Sequence, residues 1–170
     1  ENDIEIKGAK FSTAERPPEL SSFLNYYNLM IIIGLPASGK SSLVKTLLNG
    51  TPQDRLYNNV FHSVYYISPS DTMDLDLPPE KMINLSDEPL EDILQNIINE
   101  EYGIGEEDEP HHVLIILDDA VNFINKGSKE AQKIMNKIIM NGRHILGRNS
   151  SIMIWIISQK IKSINLTTRS

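Results

Sequence analysis

Eight consecutive residues have the types and spacing to hold a polyphosphate. Gly34-Leu35-Pro36-Ala37-Ser38-Gly39-Lys40-Ser41 satisfies G-x-x-x-x-G-K-[ST] at every fixed position. The pattern works because its two glycines let the backbone curl until successive N–H groups point inward at an anion. A helix beginning there adds roughly half a positive charge at its N-terminus. Lys40 is then expected to reach the β- and γ-phosphates as a compact point charge, and the Ser41 hydroxyl to ligate the Mg²⁺ that bridges them. A second candidate group is acidic: Asp118-Asp119 follows the apolar run Val113 to Leu117. Asp118 is expected to hold the magnesium through water. Asp119 would orient or deprotonate the attacking water, the step that separates a hydrolase from a nucleotide binder. An acidic pair at a strand end also serves as the N-cap of a following helix, and that alternative stands beside the catalytic one. The third candidate is Ser158-Gln159, again directly after an apolar run. A neutral amide there can donate to the γ-phosphate or position water; a solvated Gln is the plainer alternative.

Chemistry at these positions requires elements that bring them together. Leu29 to Ile33 reads as a short buried strand, and Ser42 to Leu48 as a helix stopped at Gly50 and Pro52, so Gly34 to Ser42 forms the expected phosphate-binding segment. Val60 to Ile67 is β-branched and aromatic enough for a second strand. Ser68 to Glu88, with Pro69, Pro78 and Pro79, reads as an exposed loop. Leu90, Ile93, Leu94, Ile97 and Ile98 recur at helical spacing behind Ser86 or Asp87 as N-cap, which predicts an amphipathic helix over 89–102, ended by Gly103. Val113 to Leu117 suits a strand buried on both faces. Ser128 is placed to cap a helix whose stripe is Ala131, Ile134, Met135, Ile138 and Ile139, with Gly142 as its stop. Ser151 to Ile157 is the fourth strand. Strand and helix alternate, which predicts a three-layer α/β fold around a mostly parallel sheet. Ligands of such sheets sit outside the carboxyl ends of the strands, so Lys40, Asp118 and Gln159 would face one crevice. Residues 1–28 are less readable: Asp3 to Lys7 alternates like a strand, and Arg16-Pro17-Pro18 looks like a turn before Phe23, Tyr26 and Tyr27. They form an extension or edge strand ahead of a domain spanning 29–170.

Composition narrows the classes. A chain of 170 residues, 40% hydrophobic, fits one α/β domain with its own core. No run approaches the ~20 apolar residues of a membrane span, and no signal-peptide layout opens the chain, so a soluble protein is expected. The absence of Cys excludes disulfides and thiolate chemistry and fits a reducing compartment. Glu1 in place of Met suggests an excised piece. The net charge of −7 argues against indiscriminate coating of nucleic acid, yet it hides a division. Residues 1–119 hold 22 acidic and 7 basic groups, a balance of −15, whereas residues 120–170 hold 1 acidic and 9 basic, a balance of +8. Within the basic third, Lys129, Lys133 and Lys137 fall four apart and form a stripe on one helix face. Such a stripe either tracks a phosphate backbone without reading bases or is simply a solvated face. His111 and His112 begin a strand, where adjacent side chains point to opposite faces, which argues against a shared zinc.

Taken in order, Gly34 to Ser41, Ile116-Leu117-Asp118-Asp119, Asn141-Gly142-Arg143-His144, an apolar strand ending in Ser158-Gln159, and Thr168-Arg169-Ser170 resemble the genome-packaging ATPases of large DNA viruses. These are poxvirus-type relatives of the FtsK and HerA DNA translocases. The resemblance covers about residues 29–170, and its more specific part is the Gly-Arg-His element followed by a strand ending in Gln. It implies a P-loop NTPase fold and a Mg-dependent ATPase, assembled as a homo-oligomeric ring, that moves double-stranded DNA of any sequence into a capsid. Portal or capsid components would be its partners, and the virion or host cytoplasm its location. By position, Lys40, Ser41, Asp118, Asp119 and Gln159 would be the ATPase residues, and an arginine acting on a neighbour's nucleotide would be Arg143 first, with Arg148 and Arg169 as the other candidates. Asp119 departs from the Glu that many translocases carry, the link Ile145 to Ser150 is longer than expected, and a further strand beyond Ser170 is implied. Two other classes stay open: a P-loop nucleoside or nucleotide kinase, although no compact basic lid follows the third strand, and a nucleotide-gated assembly module with little turnover.

Overall fold

The apolar runs Val113 to Leu117 and Ile152 to Ile157 become inner strands of a parallel sheet, as expected where helices must cover both faces. Leu29 to Ile33, equally apolar and expected to be buried, has only Ile32 buried because it stands at the end of the strand order. The computed structural model describes residues 2–6, 9–13, 29–49, 60–70, 73, 75–106, 109–126, 128–147 and 149–159. Near the N-terminus, β1 (Asn2–Ile6) and β2 (Ala9–Thr13) pair antiparallel as a separate hairpin, with Ile4 opposite Phe11. The main sheet contains β3 (Leu29–Ile33), β4 (Ser63–Ser68), β5 (Met82–Asn84), β6 (His111–Asp118) and β7 (Ser150–Ser158), in the order β3-β7-β6-β4-β5, with every pairing parallel. Its helices are α1 (Lys40–Asn49), α2 (Leu90–Glu101), α3 (Val121–Lys126) and α4 (Lys129–Asn141).

Period-two alternation along β6 builds one core on each face of the sheet. Leu114 and Ile116 join Tyr66, Trp155, Ile157 and the α1 residues Val44 and Leu47. Val113, Ile115 and Leu117 join Tyr65, Ile154, Ile156 and the inward stripes of α2, α3 and α4. The α2 stripe is the expected set, Leu90, Ile93, Leu94, Ile97 and Ile98, all buried. In α4, Ala131, Ile134, Met135 and Ile138 are buried while Ile139 lies at the boundary. Ser128 caps α4 as predicted, its Oγ accepting from the Ala131 N–H at 3.0 Å. The link Ile145 to Ser150 is no slack insertion, since Ile145 and Leu146 are core residues and the Leu146 carbonyl accepts from the Gly103 N–H.

Several local expectations fail. The N-cap of α2 is Pro89, not Ser86 or Asp87; it has no side-chain cap, and its ring pre-sets the backbone at the helix entrance. The segment 68–88 is not simply an exposed loop. It holds the short strand β5 and a 3-10 turn at Pro79–Lys81, and Met73, Leu75 and Leu85 are buried. Gly142 does stand at the end of α4, but its φ is −52°, so left-handed freedom is not why glycine is needed. A Cβ there would meet the Ile152 carbonyl at 2.5 Å; glycine allows the helix end to close on β7, where the Ile152 N–H donates to the Gly142 carbonyl at 2.8 Å. The Arg16-Pro17-Pro18 turn, Phe23, Tyr26, Tyr27, the stop at Gly50 and Pro52, Arg148 and the Thr168-Arg169-Ser170 element lie outside the described residues.

Candidate functional site

The loop leaving β3 turns tightly, as the phosphate-binding pattern predicts. Ala37 (φ 59°) and Gly39 (φ 87°) both occupy the left-handed region, where turns direct consecutive N–H groups to one side. At Gly34 a Cβ would displace the rotatable Ser38 hydroxyl and crowd Ser38 Cβ and Lys40 Cγ at 3.3 Å, so the loop is tight there. A turn from the Ser38 N–H to the Leu35 carbonyl at 3.1 Å closes the loop, and the Leu43 N–H donates to the Gly39 carbonyl at 2.8 Å to begin α1. Lys40 folds over the loop, its Nζ donating to the Gly34 and Leu35 carbonyls at 2.8 and 2.9 Å. Leu35 to Gly39, Ser41 and Lys40 itself lie at the surface or half-buried, as a segment open to a ligand should.

Sheet register sets this loop against the acidic pair. Ile33 lies beside Ser158, and Asp118 lies beside Ile157 on the other edge of β7. Two further bonds tie the strand ends: the Gly34 N–H donates to the Ser158 carbonyl, and the Asp119 N–H to the Ile157 carbonyl, each at 3.2 Å. The carboxyl ends of β3, β7 and β6 are therefore consecutive, with Ser158-Gln159 between the phosphate-binding pattern and the acidic pair. Beyond them α1 packs on one face of the sheet and α3 on the other, and the expected ligand crevice of a parallel α/β sheet lies at these strand ends.

Within that crevice Asp118 is buried and Asp119 exposed. Burial raises the Asp118 carboxyl above its ordinary range; the hydroxyl of Tyr66 opposes this, the charge of Asp119 reinforces it, and the ammonium of Lys40 opposes it. Tyr66 OH donates to Asp118 Oδ2 at 2.9 Å. Asp119 has a left-handed backbone (φ 49°), so the chain turns sharply as it leaves β6. For magnesium, the Ser41 hydroxyl and the Asp118 carboxylate are hard oxygen donors. Among the described residues no cluster of three or more His, Asp or Glu is arranged to hold a metal. That donor set fits Mg²⁺, which keeps waters and takes one or two protein oxygens together with substrate phosphates.

Arg143 is not brought to this crevice. It follows α4 at the other end of the sheet, where Gly142 is bonded to Ile152, six residues before Ser158. That places it about 20 Å along the strand from the phosphate loop of its own chain. Lys129, Lys133 and Lys137 are all exposed on the outer face of α4, with Lys133 Nζ 3.4 Å from Glu130 Oε1.

Two groups escaped the sequence reading. Tyr66 carries no motif, and its partner is known only once β4 is placed beside β6. A buried polar cluster lies at the opposite end of the sheet: Glu101 accepts from Tyr65 OH at 2.5 Å, has His111 Nε2 at 2.5 Å and Lys81 Nζ at 3.4 Å. Lys81 also donates to Ser63 Oγ at 2.8 Å and lies 4.5 Å over the Tyr65 ring. The rings of His62 and His111 are 5.2 Å apart, and His112 Nδ1 meets Ser151 Oγ at 2.7 Å. His111 and His112 therefore take separate partners.

Fold and register define an α/β protein with a five-stranded parallel sheet whose carboxyl ends bring the candidate residues together. The chain matches no protein-family model, and a search of the curated proteins found no match. Among the described residues no helix is long and apolar enough to cross a membrane.

Proposed function

We propose that the chain is a Mg-dependent P-loop ATPase whose hydrolysis drives double-stranded DNA through a homo-oligomeric ring, in the manner of a viral genome-packaging motor. The observation that carries the catalytic part is the strand-end register: Gly34 to Ser41, Ser158-Gln159 and Asp118-Asp119 follow three adjacent parallel strands at their carboxyl ends. In this reading the loop amides from Gly34 to Ser42 and the Lys40 ammonium bind the β- and γ-phosphates, Lys40 giving up its two loop carbonyls to do so. Ser41 and Asp118 would hold the magnesium, which neutralises charge on the phosphates when bound. Asp119, exposed at the rim, orients or deprotonates the attacking water, and the Gln159 amide contacts the γ-phosphate or that water. The lysine stripe of α4 supports a DNA-facing surface, and the resemblance of the ordered motifs supports packaging as the task.

The test is ATPase rate with and without duplex DNA of unrelated sequences. Hydrolysis stimulated by duplex DNA regardless of sequence is expected. Hydrolysis indifferent to DNA would remove the motor, and phosphoryl transfer to a nucleoside or nucleotide would replace it with a kinase.

A further inference from the structure

We infer that Tyr66 is a positioning residue for the magnesium site, fixing the carboxylate of Asp118 through its buried hydroxyl. The inference rests on the reading of Asp118 as the metal-binding carboxylate and adds to it a residue from a strand without any nucleotide motif. Tyr66 is paired with Ile116, and Asp118 is two residues further along β6 on the same face. A diagonal neighbour across parallel strands is some 7–8 Å away at the backbone, a gap that only a long side chain can span. The tyrosine spans it and donates at 2.9 Å. Both side chains are buried, Tyr66 1% and Asp118 6% exposed, so the bond is made where water competes little. The face they share is the one that α1 covers, so Asp118 is held on the side of the sheet from which the phosphate loop enters its helix. A carboxylate fixed at Oδ2 presents its other oxygen in one orientation, the role outer partners play for metal-ligating groups generally.

The adjacent residue supplies the control. Tyr65 is also buried and its hydroxyl also donates to a carboxylate, at 2.5 Å, but on the other face, to Glu101 at the far end of the sheet. Losing the Tyr65 hydroxyl likewise removes a buried bond to a carboxylate and leaves Asp118 untouched.

The experiment measures affinity for a fluorescent ATP analogue, with Mg²⁺ and with EDTA, on the unmodified chain, Tyr66→Phe, Tyr65→Phe, Asp118→Asn and the Tyr66→Phe/Asp118→Asn double variant. For Tyr66→Phe the expected result is unchanged affinity in EDTA and a loss of about tenfold in the gain that Mg²⁺ confers, the scale of one hydrogen bond to a charged group. Tyr65→Phe should keep the full gain. In the Asp118→Asn background Tyr66→Phe should change nothing further, since the two act as one unit. A full magnesium gain in Tyr66→Phe would overturn the inference while leaving the nucleotide site intact, and so would a Tyr66→Phe chain that does not fold, which would make the hydroxyl structural. An unmodified chain that binds the analogue equally with and without Mg²⁺ would overturn the site reading itself, and the inference with it.

Discussion

Asp119 occupies a backbone conformation that few side chains accept. At φ 49° an aspartate is several-fold favoured over most residues, because its short polar side chain bonds locally and adds little steric cost. This gives a physical reason for Asp where a Glu might stand, and it makes Asp119→Asn a clean substitution, since Asn tolerates the same backbone. That variant should retain Mg-ATP binding and lose turnover, as shown by nucleotide titration beside single-turnover hydrolysis; hydrolysis at the original rate would leave Asp119 a structural turn residue. A second residue-scale expectation concerns Glu101. Burial alone would raise its carboxyl, but hydrogen bonds from Tyr65, His111 and Ser63 and the charge of Lys81 hold it at about 2. A folded-state value below the unfolded one contributes stability above the unfolded value, about 4.3, and that stability is lost as pH falls towards about 2. Denaturant unfolding between pH 5 and pH 2 should show a slope in the unmodified chain that Glu101→Gln flattens, with about 3 kcal/mol at stake; identical slopes would mean that Glu101 is not held in that form. Lys40, Ser41 and Asp118 were candidates from sequence because the chemistry proposed for them is written in local spacing. Tyr66 and Glu101 were not, because their roles come from partners 52 and 10 to 36 positions away.

At the level of elements, α4 carries two faces with different claims. Its buried stripe was readable from 3.6-residue periodicity, and its cap from a serine three residues before Ala131. Its outer stripe was readable as charge, with Glu130 lying among the lysines. Replacing Lys129, Lys133 and Lys137 by Gln should weaken duplex binding about equally across sequences and flatten the salt dependence by roughly 0.9 log units for each phosphate that a lysine no longer neutralises. Unchanged affinity and slope would return the stripe to the solvent. The segment 68–88 misled because its prolines and acids signal a loop, whereas Met73, Leu75 and Leu85 reach the core. Short β5, bonded among the described residues to β4 alone, has no periodicity of its own to read and gains its strand character from its neighbour.

For the whole molecule, the parallel sheet followed from continuous apolar runs, but its strand order did not, because nothing in a strand's composition names its neighbour. Order decides how far Arg143 lies from the phosphate loop. With Arg143 at the opposite end of its own sheet, any action on a γ-phosphate must be on a neighbouring chain. An arginine so supplied is worth on the order of 10³ to 10⁵ in rate. Specific activity should then rise with protein concentration, and Arg143→Ala mixed with Lys40→Ala should recover part of the activity that neither shows alone. Activity independent of concentration, with no recovery on mixing, would mean that each chain works by itself.

The position of β7 reaches further than topology. All nine of its residues are buried, and it is bonded along both edges. Amides of that kind exchange with solvent deuterium only when the whole fold opens, whereas those of an exposed loop exchange through local fluctuations. The spacing between the phosphate-binding pattern and the acidic pair is thus set by a buried strand expected to open late, while the exposed segment from Leu35 to Gly39 is expected to open early. Nucleotide should accordingly slow deuterium uptake around Gly39 by orders of magnitude more than in β7, whose protection already stands at the global limit.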